Sequence, residues 1–308
     1  MANLDRFGLM LEPQEGMSTA ELMRWAGFAE RSGYGYVFRS DHLLPTSGRR
    51  GVDSPECWVT LAAIAAKTKR IKFGPMVSPI GFRNPALLAR MACTVHSISR
   101  GRLQLSLGAG WYRDEYYANG MEFPKFAVRR KQLEEALEII VPLIRGKRVD
   151  FDGRFFSAHT DCLPKPGKRI HLIIGGRSVG TVKIASKIGD EWNVFGPTKT
   201  TFAAMKRISD ASKRRLVVSQ MGPFLVGKDR RDLNSKLKRW MNRRGLTGNA
   251  DEHLKRLRQS GAIVGTPAEF VSEVQDRLNW GIERFYLQIA DPVAKGSVGL
   301  LTETLRGV

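Results

Sequence analysis

The sequence of 308 residues predicts an α/β fold, a (β/α)8 TIM barrel, and three observations carry that expectation. Eight short segments rich in β-branched and aromatic residues alternate with eight segments of helical periodicity. The joints from helix to strand are punctuated by glycine, at Gly33, Gly189 and Gly281. Strands interleaved this regularly with helices pair in parallel, and closure into a barrel leaves no sheet edge exposed. A doubly wound open sheet is the alternative.

The elements follow in order along the chain. Phe7–Leu11 is the first strand. Ser18-Thr19-Ala20-Glu21 then sets a capping hydroxyl three residues before an acid and opens a helix over Thr19–Arg31. Tyr34–Arg39 and Trp58–Lys67 form the second strand and helix. Ile71–Val77 is the third strand, and Asn84-Pro85 starts the helix Pro85–Ile98 with a cap followed by the proline that a first turn accepts. Leu103–Leu107 is the fourth strand and Arg129–Ile144 the fourth helix. Between them Trp111–Phe126, rich in aromatics and acids, is an insertion on the face where a barrel assembles its site, and reads as a lid or pocket wall. A second insertion after helix four, Val149–Lys168, carries Asp152-Gly153, Pro164 and Pro166 and predicts a small hairpin beside the barrel. Ile170–Ile174 with Val179–Lys187, Trp192–Phe195 with Phe202–Ser212, and Leu216–Val226 with a basic helix around Asp229–Arg243 continue the alternation. Thr266-Pro267-Ala268-Glu269 opens the helix Pro267–Asn279, and Phe285–Ile289 is the last strand. No repeat or low-complexity stretch divides the chain, so one domain over residues 1–308 is expected.

Composition narrows the class. At this length a folded chain buries roughly three quarters of the surface its unfolded form exposes and needs no staple. Cys57, Cys93 and Cys162 are odd in number and form no CxxC pair, which argues against a disulfide framework or zinc ribbon and for a reducing, cytoplasmic setting. No apolar run approaches a membrane span, and MANLDRFGLMLEP lacks the basic head and apolar stretch of a leader. Fifty Lys or Arg against thirty Asp or Glu give a formal charge of +20. Residues 199–260 hold 17 of the bases and 5 of the acids, so the excess is concentrated there. Such a stretch is a solvated helical face, or it attracts nucleic acid, acidic lipid or an anionic ligand tail. Zinc-ligand, RNP-type and helix-turn-helix patterns are missing, which disfavours a nucleic-acid reader.

On a barrel the C-terminal ends of strands carry the chemistry. The second strand ends in Ser40-Asp41-His42, and a histidine beside an acid can exchange protons near neutral pH or simply cap a loop. The third ends in Gly74-Pro75-Met76-Val77-Ser78-Pro79, dense turn chemistry for a parallel strand. The fourth ends in Gly108-Ala109-Gly110-Trp111, which lacks the third glycine of a dinucleotide fingerprint and instead suggests close approach of a flat ring to the backbone. The fifth runs into Gly175-Gly176-Arg177-Ser178 at a helix start. Free N–H groups, the helix dipole and a guanidinium there suit a phosphate, although a tight turn with a serine cap would read the same way. His96, His159, His171 and His253 have no metal-ligand spacing, and neither a nucleophile elbow nor a P-loop is present.

Taken together, SDH, GPMVSPIGFRNPALLAR, SRGRLQLSLGAGWYRDE, IIGG with KIASKIGDEWN, and VGTPAEF with GIERFYLQ resemble the bacterial-luciferase-like family of flavin- and deazaflavin-dependent oxidoreductases, in that family's order. The resemblance implies a barrel with FMN or coenzyme F420 over its mouth and a non-proline cis peptide at Met76-Val77. It implies His42 as proton donor or acceptor with Asp41 beside it. Asp41, Met76, Val77, Ala109, Asp114, Gly175, Gly176, Arg177 and Ser178 are then the coenzyme contacts, and Trp111 and Tyr112 the substrate contacts. Where sugar-phosphate dehydrogenases of the family carry a catalytic Glu, this chain has Trp111, which tells against that substrate class. The expected activity is hydride transfer between an organic substrate and F420, favoured over an FMN monooxygenase because the basic surface suits the polyanionic tail that F420 carries and FMN lacks. A nonenzymatic flavin- or nucleic-acid-binding protein is the reading from another class. A homodimer through the helices Trp58–Lys67 and Pro85–Ile98, rich in Ala and Leu, is also expected.

Overall fold

The structure is a computed structural model that describes residues 4–47, 49–212, 214–289 and 295–308. In chain order the elements are β1 (Leu4–Leu11), α1 (Thr19–Ser32), β2 (Tyr34–Arg39), α2 (Cys57–Lys67), β3 (Lys72–Pro75), β4 (Ser78–Pro79) and α3 (Pro85–Ile98). Then come β5 (Gln104–Gly108), α4 (Arg113–Ala118), α5 (Phe126–Ile144), β6 (Val149–Asp152), β7 (Ser157–Thr160), β8 (His171–Gly175), α6 (Val179–Ile188), β9 (Glu191–Phe195) and α7 (Lys199–Asp210). β10 (Val217–Val226), α8 (Arg230–Arg243), α9 (Ala250–Gln259), β11 (Ile263–Gly265), α10 (Pro267–Trp280), β12 (Arg284–Ile289) and α11 (Lys295–Leu305) complete it.

The strands pair in the order β3-β2-β1-β12-β10-β9-β8-β5-β4, all parallel. β3 and β4 are two halves of one strand course, and a parallel bridge from Phe73 to Leu103 joins that course to β5 at its start, as Ser78 and Pro79 do at its end. The sheet therefore closes, and the open doubly wound alternative is excluded. Strands buried on both faces read as continuous apolar runs, as in Leu172-Ile173-Ile174 of β8. One large cluster, from Phe7 and Leu9 through Leu105, Ile174 and Phe285, fills the space between strands and helices. Inside the barrel a second cluster is built from Met10, Tyr36, Phe38, Met76, Ile173 and Tyr286.

Both insertions are present. α4 follows β5, and β6 and β7 form an antiparallel hairpin with Val149 opposite Thr160. Where the periodicity predicts one basic helix there are two, α8 and α9, with β11 pairing along Phe224–Val226. These have a core of their own from Leu225, Leu233, Leu237, Trp240, Leu254 and Val264. Cys57, Cys93 and Cys162 are buried free thiols. Among the described residues no helix is long and apolar enough to cross a membrane.

Candidate active site

The loop after β2 is anchored from below by Arg39, which is fully buried. Its guanidinium donates to the carbonyls of Ser40 (2.7 Å), Pro55 (2.9 Å) and Glu56 (3.2 Å) and to Thr60 Oγ1 (2.7 Å), tying both ends of the loop together. From the side, Glu15 accepts from the N–H and hydroxyl of Thr46 (2.9 and 2.8 Å) and from Ser47. A loop held at so many points can present one side chain in a fixed pose.

That side chain is His42. Its Nδ1 donates to Glu115 Oε1 at 3.0 Å, and the N–H of Leu43 donates to the other oxygen of the same carboxylate, also at 3.0 Å. Glu115 is fully buried and His42 keeps 15% of its side chain exposed. Burial pushes the imidazole pKa down, but the hydrogen bond and charge of Glu115, aided by the charges of Glu12 and Asp41, outweigh it and leave the pKa above its ordinary value. Nε2 forms no hydrogen bond with a described residue and is the ring's free proton site. Trp111 and Tyr112 pack edge-on to the ring at 5.5 and 6.1 Å, and Tyr112 donates to Pro45 O at 3.2 Å.

Asp41 takes a different part from the one its position beside His42 suggests. It is buried, accepts from Ser78 Oγ at 2.6 Å, and receives both terminal nitrogens of Arg83 at 2.7 and 3.1 Å. Trp58 Nε1 donates to Ser78 Oγ at 3.1 Å, and Arg83 also bridges to Glu56. Asp41 thus locks β2 to β4 and to the turn before α3, while Glu115 orients the imidazole. Asp114 stands on the exposed side of α4 beside Arg113, and it is its neighbour Glu115 that turns inward. Neighbouring positions of a helix point in different directions, so Asp114 and Glu115 cannot both face inward, and only the fold decides which one does.

The Met76–Val77 peptide is cis. A Cβ on Gly108 or on Gly175 would lie 2.6 Å from a Val77 methyl, so these two glycines make room for Val77. A Cβ on Gly110 would come within 2.3 Å of the Tyr116 hydroxyl. The expectation that Gly108 and Gly110 admit a flat ring is therefore corrected: neighbouring side chains occupy that space. Ala109 packs on the main core.

At the end of β8, Gly176 is tied to β9 by its N–H to Asn193 O (3.0 Å) and by Trp192 Nε1 donating to its carbonyl (2.9 Å). Ser178 caps α6 by accepting from Thr181 N at 3.1 Å, so its hydroxyl is already engaged. Arg177 is exposed with no ion-pair partner among the described residues. Arg130 of α5, which sequence spacing could not place here, lies so close that its Cδ would be 2.8 Å from a Cβ on Gly180. Arg177 and the helix dipole make this turn fit to accept an anion, with Arg130, itself paired with Glu134 at 2.8 Å, beside it.

The remaining histidines are elsewhere. His159 pairs with Asp150 and Asp152 on the hairpin, and His96 is buried on α3. His171 opens β8, where its Nε2 meets Glu191 at 3.0 Å. A cavity of about 1000 Å³ opens at that N-terminal end, lined in part by Arg6, Arg31, Tyr36, Lys72 and Arg284, away from the strand ends that hold His42.

The fold and site define a class: a closed (β/α)8 barrel with a carboxylate-held histidine and a cationic helix start on its C-terminal face. The family model described as luciferase-like monooxygenase matches residues 4–284, and the chain belongs to that family. It is 35% identical to an F420-dependent glucose-6-phosphate dehydrogenase of Nocardia farcinica over 182 residues, 57% of this chain and 53% of that protein. To a 5,10-methylenetetrahydromethanopterin reductase of Archaeoglobus fulgidus it is 34% identical over 207 residues, 67% of this chain and 58% of that one. The chain spans about half the length of the curated relatives it matches. A solved F420-dependent secondary alcohol dehydrogenase in complex with an F420-acetone adduct superposes with a TM-score of 0.83 at 19% identity, covering 97% of both chains, a likeness of fold.

Proposed function

We propose that the chain is an oxidoreductase that exchanges a hydride between an organic substrate and coenzyme F420, with His42 exchanging the accompanying proton. The observation that carries this reading is the His42–Glu115 pair: Nδ1 is held by a buried carboxylate, Nε2 is free, and the ring stands at the C-terminal mouth. F420, when bound, supplies a carbon-centred hydride acceptor or donor. Names of relatives that cite F420, and the basic surface, support F420 over FMN.

The residues present fit such a group. The turn Gly175–Ser178, with Arg177 and Arg130, would take its phosphate, and Val77, seated against Gly108 and Gly175, gives the mouth an apolar floor. Glu115 fixes the imidazole tautomer by accepting from Nδ1, so neutral Nε2 is a base and protonated Nε2 an acid directed into the mouth. Trp111 and Tyr112 stack at 5.3 Å and wall the imidazole from bulk water, bordering the substrate. Trp111, where a sugar-phosphate enzyme has Glu, favours an organic alcohol or carbonyl over a sugar phosphate.

Titration of the purified protein with F420 and with FMN, followed by absorbance and fluorescence, tests the reading. Saturable binding of F420 and reduction of bound F420 by an alcohol support it. Binding of FMN alone, with oxygen consumed on reduction, replaces it with the monooxygenase reading, and no binding of either removes it.

A further inference from the structure

Residues 228–258 hold eleven Lys or Arg against four Asp or Glu, and the proposed hydride chemistry uses none of them. They form the lobe of α8 and α9 with its own apolar core, at the C-terminal end of β10 and so at the same end of the barrel as His42. Along α8, Leu233, Leu237 and Trp240 face inward, whereas Arg231 and Lys238, seven residues apart, share the exposed face. Arg231, Lys238 and Lys255 form no ion pair with a described residue. Three of the four acids of the lobe are committed nearby: Asp229 caps α8, Asp232 takes Lys236 at 2.8 Å, and Glu252 faces Arg256 at 3.8 Å.

Contacts on both flanks place the lobe beside the candidate site. On one, Arg244, over the Trp240 ring at 5.2 Å, lies within electrostatic range of Glu15, which pins the His42 loop. On the other, the loop after β9 meets the lobe so tightly that a Cβ on Gly196 would be 2.3 Å from Ser260 O, and Trp192 of β9 bonds to Gly176 of the anion turn. The lobe that carries the cations thus borders the mouth between the turn Gly175–Ser178 and the loop of His42.

We propose that this lobe holds a flexible chain of carboxylates that leaves the anion turn, namely the oligoglutamate tail of F420; this rests on the coenzyme reading above. Unpaired like charges on one helix face repel, and a polyanion that follows them relieves that repulsion and gains attraction that salt screens. A single-stranded nucleic acid fits less well, because it needs an exposed aromatic platform and Trp240, the lobe's one such side chain among the described residues, is buried.

The test compares dissociation constants, read by coenzyme fluorescence, for F420 carrying about five glutamates and for the form carrying none. In the wild type at low salt the long-tailed form is expected to bind roughly tenfold tighter, the yield of a few exposed ion pairs, and the ratio should fall towards one in high salt. It should also fall towards one in R231E/K238E/K255E and, should that variant misfold by circular dichroism, in the neutral set R231Q/K238Q/K255Q. A ratio near one in the wild type at low salt, with both forms binding, overturns the tail platform and leaves the coenzyme reading standing. Failure of both forms to bind removes the coenzyme reading itself. An oligonucleotide that binds the wild type more tightly than the long-tailed coenzyme, and loses that advantage in the charge-reversed variant, assigns the lobe to nucleic acid and overturns the proposal.

Discussion

Replacing Glu115 by Gln tests which carboxylate governs His42. The substitution keeps the volume and one oxygen for the N–H of Leu43 or Nδ1, but removes the charge that lies 3.0 Å from the imidazole. A hydrogen bond to a charged partner contributes about 1.5–3 kcal/mol, and here that energy favours the protonated ring. Burial opposes it, so once the charge is gone the balance reverses and His42 should titrate below its ordinary value of 6.5 instead of above it. The sign for stability follows. A raised folded pKa contributes stability that is fully present below the unfolded value and is lost as pH rises through the folded one, so this linked contribution should be visible on the acidic side in the wild type and absent in the variant. The assay is the chemical shift of the His42 ring protons against pH, with urea denaturation at matched pH values. Asp41→Asn is the control: it should leave His42 titrating above 6.5 while costing about 3–5 kcal/mol, because Arg83 loses its buried partner. A Glu115→Gln variant whose His42 titrates as in the wild type, or an Asp41→Asn variant that lowers it below 6.5, would refute the assignment of Glu115 as the orienting group.

Other outcomes follow from the same geometry. If Nε2 carries the proton as proposed, His42→Ala should lower kcat by roughly 10²–10⁴ with near-normal coenzyme affinity, because the anion turn lies elsewhere; normal turnover at saturating coenzyme would reject that role. Arg177→Ala should weaken coenzyme binding by about 1.5–3 kcal/mol without lowering Tm, because Arg177 has no ion-pair partner among the described residues; an unchanged Kd would make the turn purely structural. Gly108→Ala should cost about 1–3 kcal/mol through its clash with Val77, and Val77→Ala in the same chain should recover much of it; additive losses in a denaturation cycle would contradict the packing. We further propose a homodimer through α2 and α3, which expose Val59, Leu87 and Ile98. Val59→Lys with Leu87→Lys should then halve the mass seen by light scattering, and a wild type that is already monomeric would dismiss the face.

Much of the fold was legible because its signals are local. Ser18 with Glu21, Asn84 with Pro85, and Thr266 with Glu269 cap helices in the structure as their spacing indicates. Closure was legible only as an inference, since the Phe73–Leu103 bridge joins segments through the whole sheet's curvature. α9 and β11 escaped because charged residues dilute the periodicity of Ala250–Gln259 and because three-residue strands carry almost no pattern. At the site, His42 and the turn after β8 were visible as strand-end chemistry. The partner of His42 was not, because Glu115 is 73 residues away in the chain and only the fold brings it there. Arg130 was hidden for the same reason, in an unremarkable run of Arg and Lys.

Among the described residues the barrel holds two pairs of a histidine with a buried glutamate, one at each end, and they differ in what they can do. At the N-terminal end Glu191 is fully buried, and burial alone would push its pKa up. His171, Arg284 and their charges hold it below the ordinary carboxylate range, and Tyr286 donates to it at 2.6 Å. There it is the glutamate that is surrounded, its charge balanced and its oxygens taken, and Arg284 lies over the Tyr36 ring at 5.2 Å as part of the same packed unit. Such a network fixes strand starts and resists change, because every partner removed leaves a buried charge. At the other end Glu115 also accepts two bonds and is satisfied, but the histidine it holds is not: one ring nitrogen is committed and the other forms no hydrogen bond with a described residue. A proton can therefore enter or leave His42 without breaking the bond that positions it. His171 faces Glu191 through Nε2, with Arg284 Nη1 3.4 Å from the same nitrogen, so a change in its protonation disturbs the whole cluster. On the proposed reading the same residue types thus serve as a clamp at one end and as a proton carrier at the other, and the difference is the nitrogen of His42 that forms no hydrogen bond with a described residue.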